Sequence, residues 1–173
     1  MFVRSQPTAT PATKYAIQTN LGGTLQLAIA MVETFNLLST YDFGDNKQDD
    51  AANFGIYKMN WGMIQKCPSA MAIGADAAEV GPKINADPAL ATKILLEAMQ
   101  IWSINPPEPN HPVANNFWAG HRQGSTGLNN GDGVNWDDIQ DYYLGVQVLK
   151  AKCDGDSDVW TSGVRYYVDI DPI

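Results

Sequence analysis

The chain has 173 residues, 45% hydrophobic and only 17% charged, which is enough apolar material to bury a core without metal or several disulfides. Its 19 acidic and 11 basic side chains leave a net charge of −8, which disfavours nucleic acid, anionic membranes and anionic wall polymers and favours a neutral or cationic partner. No run approaches the roughly 18 apolar residues of a membrane helix, and Met1-Phe-Val-Arg-Ser-Gln-Pro7 lacks a signal-peptide core, so the expectation is a mature secreted protein or else a cytoplasmic one, the first being preferred.

No repeat or linker divides the chain, which reads as a single domain over residues 1–173 with an extended surface lead-in at 1–14, rich in Thr, Pro, Ser and Ala. From about Gly23 to Leu38 the apolar positions Leu25, Ile29, Val32 and Phe35 fall three or four apart, predicting an amphipathic helix with Thr24 as a cap. Glu33 lies beside that apolar face near the helix C-terminus. Exposed carbonyls and apolar neighbours both disfavour a charged carboxylate there, so Glu33 is a candidate proton donor, although a helical glutamate is more commonly a surface residue.

Residues 39–52 form a polar loop with Asp42, Asp45, Asp49 and Asp50. The ladder of a calcium loop is absent, so these are solvated turn aspartates or a source of a second carboxylate, and no metal site is expected. Asn53 to Asn60 is predicted as a strand of β-formers around Gly55, followed by a short turn or helix at Trp61–Ile64. Residues 68–86 are small and without clear period, whereas Asp87-Pro88 is a strong helix start, continued by an apolar stripe to about Ser103.

Asn105-Pro-Pro-Glu-Pro-Asn-His-Pro112 predicts a rigid loop. Asn115 to Gln123 is a short helical candidate closed by Gly124, and residues 125–135 form another loop. Asn135 can cap a helix to about Lys152, acidic at its start and basic at its end, with Ile139, Tyr142, Tyr143, Val146 and Leu149 as its buried stripe. The tail, residues 159–168, is a strand pair or one extended arm. The architecture expected is α+β: several helices around a small antiparallel sheet near residues 40–60, with a substrate groove between them.

Cys67 and Cys153 are too far apart in sequence for a redox or zinc pair. A disulfide is the preferred reading, with two buried free thiols as the alternative. Such a bridge would add about 4 kcal/mol in the chain-entropy picture and would imply an oxidising compartment.

Several chemistries are excluded. There is no G-x-S-x-G elbow, only His111 and His121 are available as imidazole bases, and no phosphate-cradling glycine loop appears. Carboxylate chemistry remains, and glycoside hydrolysis requires one protonated and one ionised carboxyl group. Glu33 suits the first role and the 42–50 loop supplies the second. Aromatic rings stack on pyranose faces while amides bind hydroxyls, so Trp61, Trp118, Asn60, His121, Arg122 and Gln123 are candidate groove residues. For each tryptophan a place in the core competes with that role, and for each histidine a structural one does.

The segment Asn53-Phe-Gly-Ile-Tyr-Lys-Met-Asn60 behind a helix-end glutamate resembles the active-site strand of animal-type lysozymes, Asp-Tyr-Gly-Ile-Leu-Gln-Ile-Asn. It departs from that pattern at Asn53, where those enzymes hold their second carboxylate. Most of the chain, including Asn-Phe-Trp-Ala-Gly-His-Arg at 116–122, is more similar to glycoside hydrolase family 134, the lysozyme-like endo-β-1,4-mannanases. That resemblance implies a lysozyme-like fold and a secreted, inverting enzyme without cofactor. Glu33 would be its acid and Asp45, twelve positions later, its base. Asn53, Lys58, Asn60, Trp61, Trp118, His121 and Arg122 are expected to line the groove of a monomer that cleaves neutral β-1,4-mannan. The rival readings are a hydrolase of another β-1,4-glycan such as chitosan, and a non-catalytic carbohydrate-binding module.

Overall fold

Apolar stripes at helical spacing dominate the structure. The computed structural model describes residues 1–7, 10–103, 116–129 and 133–168. Along these run β1 (Val3–Gln6), α1 (Pro11–Thr19), α2 (Thr24–Glu33), β2 (Asn53–Phe54), β3 (Met59–Asn60), α3 (Trp61–Ile64), α4 (Pro68–Met71), α5 (Ala77–Ala86), α6 (Pro88–Trp102), α7 (Asn116–Leu128), α8 (Trp136–Asp154) and β4 (Arg165–Val168). The fold is α+β, with two separate two-stranded antiparallel sheets, β1–β4 and β2–β3. No helix among the described residues is long and apolar enough to cross a membrane.

The centre is the packing of α2 on α8. Leu27 to Met31 of α2 are fully buried, and from α8 Ile139, Tyr142, Val146 and Leu149 face inward, spaced three or four apart as one face of a helix requires. Each large side chain so buried contributes about 1.5–3 kcal/mol. Capping follows the sequence closely. The Asp87 carboxylate accepts from the Ala89 amide at 2.8 Å, and the Asn135 side chain accepts from Asp138 N at 3.2 Å. Thr24 is not the cap of α2. Gly23 holds that place, and the Gln26 side chain reaches back to accept from its amide at 2.8 Å.

Several expectations are corrected. Residues 1–7 are extended and largely exposed but not a loose lead-in, because β1 pairs with β4 in the register Val3↔Val168 to Gln6↔Arg165, and residues 11–14 already belong to α1. Lys14, on α1, is fully buried and donates to the carbonyls of Val159, Ser162 and Val164 at 2.7, 2.9 and 2.7 Å. Burial pulls its pKa below the usual range, against the nearby Cys153 and Asp156. Main-chain pairing is blind to composition, which is why a Thr- and Ser-rich segment conceals a strand. The stretch 68–86, read as having no period, contains α4 and α5. The start of α5 is marked by Asp76, whose carboxylate accepts from Glu79 N at 2.9 Å.

The strand predicted over 53–60 is instead a minimal hairpin, Asn53↔Asn60 and Phe54↔Met59. Its turn closes by Lys58 N donating to Gly55 O at 3.0 Å, with Gly55 and Lys58 both left-handed (φ 74° and 47°). The rigid loop expected over 105–112, with His111, lies outside the described residues.

The Cys67–Cys153 disulfide is not formed, and both cysteines are free and buried. Their surroundings differ. Cys67 precedes α4, with its thiol 3.9 and 3.7 Å from the carbonyls of Met63 and Ile94, while Cys153 ends α8 within the field of Lys14. Burial pushes the Cys67 thiol up to about 12 and the Cys153 thiol up to about 11.

Candidate active site

Glu33 is the last residue of α2 because the next residue leaves the helix: Thr34 is extended (φ −132°, ψ 135°). The Thr34 hydroxyl lies within hydrogen-bonding reach of Ala30 O at 3.0 Å and of Ile56 O at 3.3 Å, tying the helix end to the hairpin turn. This fixes the Glu33 carboxylate at the junction of α2, α7 and α8. Its Oε1 accepts from the Tyr142 hydroxyl at 2.5 Å and lies 3.3 Å from His121 Nε2. Burial pushes the Tyr142 hydroxyl well above its ordinary pKa, and the charge and hydrogen bond of Glu33 push the same way, so Tyr142 stays a donor.

The His121 side chain is only 1% exposed, and its ring stacks on Phe117 at 5.6 Å. Neither of its ring nitrogens completes a well-aligned hydrogen bond among the described residues. The imidazole stands against Glu33 on the wall of the cleft. Arg122, one residue on, forks its Nε and Nη2 onto the Asp138 carboxylate at 3.0–3.1 Å and passes 5.6 Å over the Tyr142 ring. That pairing docks α7 on α8 and leaves Arg122 as a wall of the cleft.

Asp45 sits in a different setting. It belongs to a 3-10 turn at Phe43–Asn46, in which Gly44, Asp45 and Asn46 are all left-handed (φ 68°, 56° and 59°). Such a backbone is costly for residues other than glycine and persists only where its surroundings hold it. Asp45 Oδ2 accepts from Lys58 Nζ at 2.8 Å, with both side chains partly exposed. The Lys58 ammonium also lies 5.0 Å over the Tyr41 ring. Tyr41 in turn donates to Gly55 O at 2.5 Å. Burial raises the Tyr41 pKa, and the charges of both Asp45 and Glu33 push it further in the same direction. Tyr41 therefore senses both carboxylates, which share no hydrogen bond with each other.

Asn53 lies 3.5 Å from Asp45 Oδ2. With its amide turned so that the nitrogen faces the carbonyls of Ala51 and Lys58, both at 3.2 Å, it is held within the hairpin. Asn60 is committed to structure: its Oδ1 accepts from Met63 N at 3.1 Å to cap α3, and its Nδ2 donates to Gly120 O at 2.7 Å.

An open cleft of about 380 Å³ brings together Glu33, Asn53, Lys58, Asn60, His121, Arg122 and Gln123, whereas Asp45 is not on its lining and is linked to it by the ion pair with Lys58. The two tryptophans do not line it. Trp61 is 8% and Trp118 5% exposed, packed edge-on against Phe54 and against Phe117 and Tyr143. Tyr142 was legible only as part of a buried stripe. The signal that could have marked it is that a buried tyrosine hydroxyl needs a polar partner. Lys47, Ser125 and Thr126, also on the cleft wall, carried no pattern.

One carboxylate thus lines the cleft beside a tyrosine hydroxyl and an imidazole, and a second is bound to an ammonium that lines it. This is the equipment of acid/base hydrolysis. Curated proteins yield no match to the chain. The model of glycosyl hydrolase family 134 matches residues 11–170, a span that takes in every element lining the cleft, and the chain belongs to this family of glycoside hydrolases.

Proposed function

We propose that the protein is an endo-acting β-1,4-mannanase working with inversion, with Glu33 as acid and Asp45 as base. The observation that supports the reading is the separate anchoring of the two carboxylates, Glu33 on Tyr142 and Asp45 on Lys58, and the inverting course follows the family resemblance. A retaining enzyme needs its carboxyl groups about 5–5.5 Å apart, whereas inversion leaves room for a water at about 6.5–9.5 Å. Asn53, where a lysozyme strand holds its second carboxylate, has an amide that cannot serve as nucleophile.

In this reading Tyr142 occupies Glu33 Oε1, so Oε2 carries the proton delivered to the glycosidic oxygen as the bond to the anomeric carbon breaks. Asp45 removes a proton from the water that attacks the opposite face of that carbon. Lys58 holds the Asp45 carboxylate oriented for that task. The net charge of −8 suits an uncharged polymer, and the choice of mannan follows the family resemblance. Secretion follows from a polymer too large to enter a cell, and buried, unreactive thiols are compatible with an oxidising compartment. The test is the proton-resonance spectrum of a fresh mannan digest. The α-anomer is expected first, and an initial β-anomer overturns the inverting assignment.

A further inference from the structure

With Trp61 and Trp118 in the core, the aromatic surface that a sugar polymer needs must come from elsewhere. Phe43, two residues before Asp45, is 53% exposed. Its ring is steadied by Phe54 in an edge contact at 5.2 Å and 68°, and the remainder is open. With Asn46, Lys47, Gln48 and Asp49 it lines a second depression of about 570 Å³. Lys47 also lines the cleft that holds Glu33, so the two hollows are neighbours that share one side chain.

The backbone beneath this depression is specified closely. Gly44, Asp45, Asn46 and Asp49 are left-handed, and a Cβ on Gly44 would stand 3.1 Å from Ala52 Cβ. The same turn that sets Asp45 on Lys58 presents Phe43 to solvent. A fixed apolar ring flanked by two amides and a carboxylate has the composition of a carbohydrate site, one flat face for the C–H side of a pyranose and polar groups for its hydroxyls.

We infer that this depression is a distal subsite for a sugar unit of the polymer being cut. Phe43 stacks on one pyranose ring there, while Asn46, Gln48 and Asp49 bind its hydroxyls. The inference rests on the cleft being the place of hydrolysis, but not on the sugar being mannose. Stacking of this kind corresponds to about tenfold in affinity.

The experiment measures kcat/KM for wild type, Phe43→Ala, Phe43→Leu and Phe43→Tyr on β-1,4-linked oligosaccharides of three to six units, in the manno-, cello- and chito- series. Expected is a fall of about tenfold on hexamers with trimers almost unaffected, the same in the Ala and Leu variants and absent in the Tyr variant. Leu preserves the apolar packing on Phe54 but offers no flat face, so unfolding and lost stacking are told apart, with melting temperature as the check. Equal losses at every length, or a Leu variant with wild-type kinetics, overturn the subsite. A wild-type enzyme that ignores mannans but cuts another series sinks the mannan assignment, and its length dependence still decides the subsite.

Discussion

The two carboxylates are positioned by opposite means. Glu33 ends a regular helix whose buried face fixes it, and its neighbours are the rings of Tyr142 and His121. Asp45 sits in a turn of left-handed residues, and the bond that holds its carboxylate comes from Lys58, itself left-handed. In the proposed mechanism the proton donor is thus framed by rings and the base by a cation. The contrast shows that one side of the cleft is built by packing and the other by strain and charge.

The largest expected effect removes either carboxylate. Glu33→Gln and Asp45→Asn should each lower kcat by about 10³-fold, in the range of general acid/base catalysis, with melting temperatures close to wild type. Full activity in either variant would break the assignment. The asymmetry between the sides is sharpened by removing their supports. Lys58→Met should cost about 100-fold in kcat, because the strained turn loses the bond that aims Asp45. Its cost in stability should be about 1 kcal/mol or less, as for partly exposed ion pairs. Tyr142→Phe should cost only about tenfold, since the helix end still fixes Glu33. Equal losses in these two variants would erase the proposed difference between the walls.

The smallest expected effect lies away from the cleft. Because burial lifts the thiols to about 12 and about 11, Cys67 and Cys153 should resist aromatic disulfide reagents at pH 8 in the folded protein. Both should react on unfolding, and reductant should leave the melting temperature unchanged. A reductant-sensitive melting temperature would show a bridge after all.

The same division governs what can be read from the amino acids alone. On the packed side, the stripe of α8, the Asp87-Pro88 start and the Asn135 cap were legible because capping and helical periodicity are local. The burial of Tyr142 was legible too, but not its task, because its partner lies 109 residues away. On the strained side, a run of β-formers around Gly55 suggested one strand, and only the left-handed turn at Gly55 and Lys58 makes it a hairpin. The run 115–123 was expected to stay unburied because it is polar, yet residues 116–121 are buried and of its described residues only His121, Arg122 and Gln123 line the cleft, since what a large ring covers is settled by tertiary neighbours. Two cysteines in a sequence state no distance between them. Asp45 stands out among four loop aspartates only through family likeness, because its distinguishing feature, Lys58, arrives from across the hairpin.

The pairing of β1 with β4 bears on how the protein is made. Lys14 must wait for carbonyls as far as 150 positions downstream, and Val3 for Val168, so these contacts are among the last that synthesis allows to form. Translation at about 5–20 residues per second leaves that ammonium and that strand edge waiting for seconds. A product stalled before Val159 lacks every acceptor of the Lys14 ammonium and leaves the edge of β1 open to pairing with another chain.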